Sequence, residues 1–192
     1  MTLDDIDAEG EAALERLENE PALQELLKTD PAKAMREAGF PELNETPVEL
    51  DIAALEAAVD AMSRDSAPLM GASNDVTCHK LGKNGVDIVF SKDGTKKLLD
   101  VGSFGAKATA LIKGGMVGLG LIAAGPAAAI AAAVILVLEI KMLQVKLADK
   151  GKGVHVPIKG WKIKTMVCAL ATSGVAGLGE SAALLVHPKA NK

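Results

Sequence analysis

Apolar residues recur at helical spacing through the front of the chain. Ala13, Leu14 and Leu17, then Leu23, Leu26 and Leu27, fall on one face of a helical segment over residues 7–28. Pro21 divides that segment in two, because proline fits only the first turn of a helix. Asp30-Pro31 reads as an N-cap followed by proline at the first helical position; residues 33–38 continue the helix and Gly39 ends it. Residues 41–47 form a loop. Residues 51–63 form a further helix, with Ile52, Leu55, Val59 and Met62 on its apolar face, and residues 63–75 are polar, small and linker-like.

Beyond residue 80 the period changes. Val86, Ile88 and Phe90 alternate, and Asp93-Gly94 after them predicts a β-hairpin at that point. Residues 100–138 read as helical in two parts, split near Gly114-Gly115, with a kink or break at Gly125-Pro126. Residues 140–149 form an amphipathic extension stopped by Gly151 and Gly153. Val154, Val156 and Ile158 predict a short strand, and residues 166–186 a last apolar helix. The fold class expected is mainly α: an acidic region of short helices, then a Gly/Ala-rich apolar helical region with a small β-hairpin.

The run from Gly114 to Leu138 holds 25 residues without one polar side chain. As a helix it would measure about 37 Å, more than the ~30 Å hydrocarbon core of a bilayer. Such a segment is expected to face lipid or another helix of its kind.

Charge divides the chain. Residues 1–72 carry 18 Asp/Glu against 5 Lys/Arg, or −13; residues 73–192 carry 7 against 16 Lys, or +9, which together give the net −4. The expected organisation is an acidic helical region over 1–72 and a cationic membrane-active region over 73–192. No Arg follows Arg64, and the back part has only Phe90, Phe104 and Trp161 as aromatics. That composition suits anionic membrane lipids and not nucleic acid. The first residues lack a basic stretch and an apolar stretch, so export is expected to use a dedicated transporter.

Gly114, Gly118 and Gly120, with Leu138 ending the run, are candidate membrane-binding positions, since small residues let helices approach closely in lipid. Lys159, Trp161, Lys162 and Lys164 read either as an interfacial anchor or as a core tryptophan closing a small bundle. Glu180 is either a pore-facing or lysine-paired carboxylate or a solvated one. His79, His155 and His187 show no metal-ligand spacing, and no phosphate loop, dinucleotide fingerprint or nucleophile elbow occurs. No enzymatic activity, cofactor or metal is expected.

Residues 17–40 bring a resemblance. Pro21, Leu23 and Leu27, then Asp30-Pro31, then Glu37-Ala38-Gly39-Phe40, resemble the long leaders of bacterial natural-product precursors related to nitrogen-fixation-type and nitrile-hydratase-type proteins. The resemblance implies that Leu23, Leu27, Asp30, Pro31, Glu37, Ala38, Gly39 and Phe40 are recognised by a leader-binding enzyme or a peptidase-containing exporter. It also implies cleavage at Gly71-Ala72, with Leu69 upstream, although the usual Glu-Leu pair is missing. More loosely, the back part is similar to membrane-active bacteriocins. The function expected is the precursor of a secreted cationic antibacterial polypeptide, made in the cytoplasm, which permeabilises anionic membranes after leader removal and can form homo-oligomers. The alternatives are a resident membrane protein with two spans and a soluble helical assembly or scaffold protein.

Overall fold

A computed structural model describes residues 3–44, 49–64, 74–100 and 104–191. The front of the chain follows its proline and cap signals into α1 (Leu3–Asn19), α2 (Pro21–Thr29) and α3 (Pro31–Ala38). Pro21 and Pro31 each stand in a first helical turn. Asp30 Oδ1 accepts the Lys33 amide at 2.8 Å, and Gly39 closes α3 in the left-handed conformation at φ 89°. Asp51 Oδ1 accepts the Ala54 amide at 3.0 Å and so starts α4 (Ile52–Arg64).

A hairpin forms, but earlier than Asp93-Gly94. Strand β1 (Val76–Leu81) turns through Gly82, at φ 60°, into β2 (Gly85–Phe90), with Val76 opposite Phe90 and Leu81 opposite Gly85. Asp93-Gly94 instead lies in the first turn of α5 (Lys92–Leu99). There Ser91 Oγ accepts the Gly94 amide at 3.1 Å, a cap that outcompetes the turn. Strand β3 (Val154–Ile158) pairs with β2, and β4 (Lys189–Ala190) with β3, giving an antiparallel sheet in the order β1-β2-β3-β4. The molecule is mainly α with this small sheet.

The apolar run is not one helix. It forms the end of α6 (Phe104–Gly118) and most of α7 (Ala124–Ile140), and the break falls at residues 119–123, not at Gly114-Gly115. Gly120, at φ 68°, turns the chain there, and Pro126 sits harmlessly in the first turn of α7. After Lys141 the chain bends by 81° into α8 (Met142–Ala148). Helix α7 is apolar on every side because α4, α6 and α9 surround it. Residues 127–135 are all buried, most of them alanines slim enough for neighbours to close in.

The last helix, α9 (Gly160–Leu185), holds one non-helical residue, Gly174, at φ 66° and ψ −156°. A straight helix would keep residues 162 and 185 about 35 Å apart. Yet Lys162 Nζ donates to the Leu185 carbonyl at 3.3 Å. The helix therefore folds back on itself at Gly174 into two arms whose outer ends meet. At the elbow, Ser173 Oγ donates to the Leu27 carbonyl at 2.6 Å, which ties it to α2. All four front helices pack on α9, and α4 also packs on α7. Leu17, Leu27, Met35 and Leu55 of the front thus share one core with Ile88, Ile130, Leu138 and Leu178 of the back.

Candidate functional site where the acidic and cationic segments meet

The residues that bring the two charge regions together sit where β3 enters α9. Val156 and Ile158 anchor β3 in the core, and Lys159 follows as the N-cap residue of α9. Trp161 is 1% exposed. Its indole Nε1 donates to Asp7 Oδ1 at 3.3 Å, and its ring stacks on Phe40 with centroids 5.7 Å apart. On the α1 side the ring meets Gly10: a Cβ there would stand 2.5 Å from indole Cδ2 and 2.7 Å from Nε1, so only glycine fits.

Each lysine of the segment faces a front carboxylate. Lys159 Nζ lies 2.8 Å from Asp7 Oδ1, an ion contact without hydrogen-bond alignment. Lys162 Nζ stands 3.7 Å from Glu42 Oε2, and Lys164 Nζ 3.8 Å from Glu11 Oε2. The Lys164 pair is exposed and contributes little by itself, whereas Lys162 is buried, with its ammonium 5.2 Å from the Trp161 ring centre. A cavity of about 750 Å³ opens at this junction, lined among others by Asp7, Glu42, Lys83, Lys159, Trp161 and His187.

His187 closes the junction from the far end of α9. Its Nε2 lies 2.8 Å from the Glu42 carbonyl, which can only accept, so the ring carries its proton on Nε2. Burial, with Lys162 and Lys141 nearby, pushes its pKa down to about 4. The neighbouring Lys141 is itself buried and donates to the Ala183 and Val186 carbonyls, two of those α9 leaves unpaired at its C-terminus.

The residues read as a recognition motif are mostly taken up by the fold. Leu23, Leu27, Pro31, Ala38 and Phe40 are buried, Asp30 and Gly39 cap α3, and Glu37 is exposed. Arg16 Nη1 donates to the Glu37 and Ala38 carbonyls, each at 3.0 Å, and holds the end of α3 against α1. Gly71 and Ala72 lie outside the described residues.

The membrane-binding candidates separate. Lys159, Trp161, Lys162 and Lys164 come together at the junction, with Trp161 in the core. Leu138 is fully buried in α7. Gly114, Gly118 and Gly120 are exposed, and a Cβ at Gly118 or Gly120 would meet nothing within 4 Å. The close approach in α6 belongs to Gly115 instead, where a Cβ would lie 2.6 Å from Cys78 Sγ on β1. Sequence reasoning missed Asp7, Gly10, Glu11 and Glu42. The available signal was Gly10, a costly residue inside an amphipathic helix, lying between Asp7 and Glu11, which stand one helical turn apart.

The junction offers carboxylates, ammonium groups and an indole, a set suited to holding anions and cations against each other. Among the described residues no group of three or more His, Cys, Asp or Glu stands close enough to hold a metal ion. Comparison with family models, with curated proteins and with solved structures finds no match to this chain.

Proposed function

We propose that the chain is the precursor of a cationic polypeptide that binds and permeabilises anionic membranes, and that residues 1–72 hold it inactive until a leader-binding enzyme or peptidase-containing exporter removes them. One observation carries the reading: Asp7, Glu11 and Glu42 of the acidic front occupy Lys159, Lys164 and Lys162 in turn, while the same front buries Trp161. The groups best suited to an anionic headgroup region are those the front covers. Removing the front would free them and leave the remainder at +9, ready for capture at a negative surface.

Burial of apolar length is the second step in this reading. Freed of α1–α4, α9 can open at Gly174, because glycine reaches helical angles as readily as its present ones. Opened, its 26 residues measure about 39 Å, enough to cross a bilayer. Synthesis in the cytoplasm and export by a dedicated transporter belong to the same proposal.

The test is dye release from phosphatidylglycerol vesicles by a chain carrying a specific protease site within residues 65–73, before cutting and after cutting and separation of the front. Leakage only from the separated back part is expected. Silence after separation, or equal leakage before cutting, would overturn the proposal. A second reading, a soluble helical assembly protein, draws on the burial of α7 by the chain's own helices. It predicts no leakage at either stage.

A further inference from the structure

Among the described residues the two most exposed large apolar side chains both belong to helix α8. Leu143 is 70% exposed and Leu147 73%, one turn apart on the same face, and Ile140 at the bend is 40% exposed. The opposite face is anchored: Val145 is fully buried, and Gln144 bonds Asn44 across a 3.5 Å contact. The helix is therefore seated through Val145, with its leucines outward.

Three exposed lysines accompany them: Lys146 between the two leucines in sequence, then Lys150 and Lys152 on the turn that follows. The carboxylates nearest in sequence make contacts of their own. Asp149 Oδ1 accepts the Gly151 and Gly153 amides at 2.8 and 3.0 Å, and the Glu139 carboxylate lies against Gly105 of α6. This stretch thus offers two exposed leucines with three exposed lysines beside them in sequence.

We infer that Leu143 and Leu147, with Lys146, Lys150 and Lys152, form a docking surface for an anionic lipid bilayer, used by the intact chain before its front is removed. The inference rests on the proposal that anionic membranes are the target, and assigns first contact to a site the front does not cover. Charge decides the occupant. In a symmetric contact with a second copy, each set of lysines would meet its own like charges. A phosphate-rich surface offers the opposite sign, and lysine stems reach it while the leucines enter the apolar layer beneath. So short a helix gives weak and reversible attachment, as a first encounter requires.

Co-sedimentation of the intact chain with vesicles tests this, using equimolar phosphatidylglycerol and phosphatidylcholine against phosphatidylcholine alone. Wild type is expected to bind the anionic vesicles and to lose most of that binding on the neutral ones. Leu143→Gln/Leu147→Gln is expected to weaken binding at least ten-fold with an unchanged melting temperature. Lys146→Gln/Lys150→Gln/Lys152→Gln, which keeps the leucines, is expected to do the same and provides the check if the leucine variant is destabilised. Binding by the leucine variant equal to wild type would overturn the inference. So would failure of wild type to bind, including the case where it instead dimerises through these leucines. Loss of leakage in the cutting experiment with Leu143-dependent docking intact would sink the precursor proposal and spare this surface; the reverse pattern would do the opposite.

Discussion

Gly10→Ala sets two opposed effects against each other. In an isolated helix, alanine for glycine stabilises by about 1 kcal/mol. Here the new methyl would drive into the buried indole of Trp161, within 2.5 Å of Cδ2, where no flexible side-chain end can give way. Overpacking of this kind costs about 1–3 kcal/mol. Displacing the ring also strains its bond to Asp7, worth about 1 kcal/mol, and its stack on Phe40, worth about 0.5–1.5 kcal/mol. The balance is a net loss of about 2 kcal/mol. With a urea slope of about 2–3 kcal/mol/M, the unfolding midpoint falls by roughly 0.7–1 M. Trp161 is the sole tryptophan, so its fluorescence reports both local displacement and global unfolding. Spectral change with a lower midpoint is expected, together with some vesicle leakage by the uncut chain. A variant about 1 kcal/mol more stable than wild type, as helix propensity alone requires, would refute the contact between α1 and Trp161 and with it the covering of that segment.

Three further outcomes follow from the same geometry. His187 stays neutral in the fold down to about pH 4 but takes a proton near pH 6.5 when unfolded, so stability is full above pH 6.5 and falls as pH drops toward 4. The loss is at most about 3 kcal/mol and about 1–2 after allowing for its partial exposure; urea midpoints at pH 7 and 4.5 should converge in His187→Gln. Gly174→Ala places a side chain at φ 66° and ψ −156°, which costs about 1–3 kcal/mol, and it should lower the urea midpoint while raising helical circular dichroism on anionic vesicles. Lys162→Met keeps the stem over Trp161 but strips a donor from the Leu185 carbonyl and a partner from Glu42; a loss of about 1–3 kcal/mol in urea unfolding is expected, and an unchanged midpoint would contradict the meeting of the α9 ends.

Much of the front was legible because its signals are local. Proline at residues 21 and 31, aspartate at residue 30 and glycine at residue 39 each set backbone angles within a turn or two of themselves, and the helices begin and end there. The hairpin was legible in kind but not in place. Asp93-Gly94 satisfies a turn and a first helical turn equally well, and Ser91 decides between them. The apolar run stayed two-sided for a physical reason: a helix that is apolar all round fits lipid and fits the centre of a helical bundle alike. Only its neighbours distinguish the two. Least legible was the folding back of α9, since Gly174 among alanines, threonine and serine reads as a packing position until Lys162 is found at Leu185. The junction was half legible: the lysines and tryptophan announced themselves, while their acidic partners lie more than a hundred residues away in sequence.

The elbow at Gly174 has a bearing on the cell that makes the protein. If the chain is the membrane-active precursor proposed above, the first anionic membrane a newly made copy meets is the producer's own. A bilayer admits a helix according to its uninterrupted apolar length, and about 20 residues are needed. With α9 doubled over and α7 ending after 17 residues at an 81° corner, no straight apolar helix among the described residues reaches that length. Under the proposed function, that doubling would keep α9 of the uncut chain from spanning a bilayer until Gly174 opens.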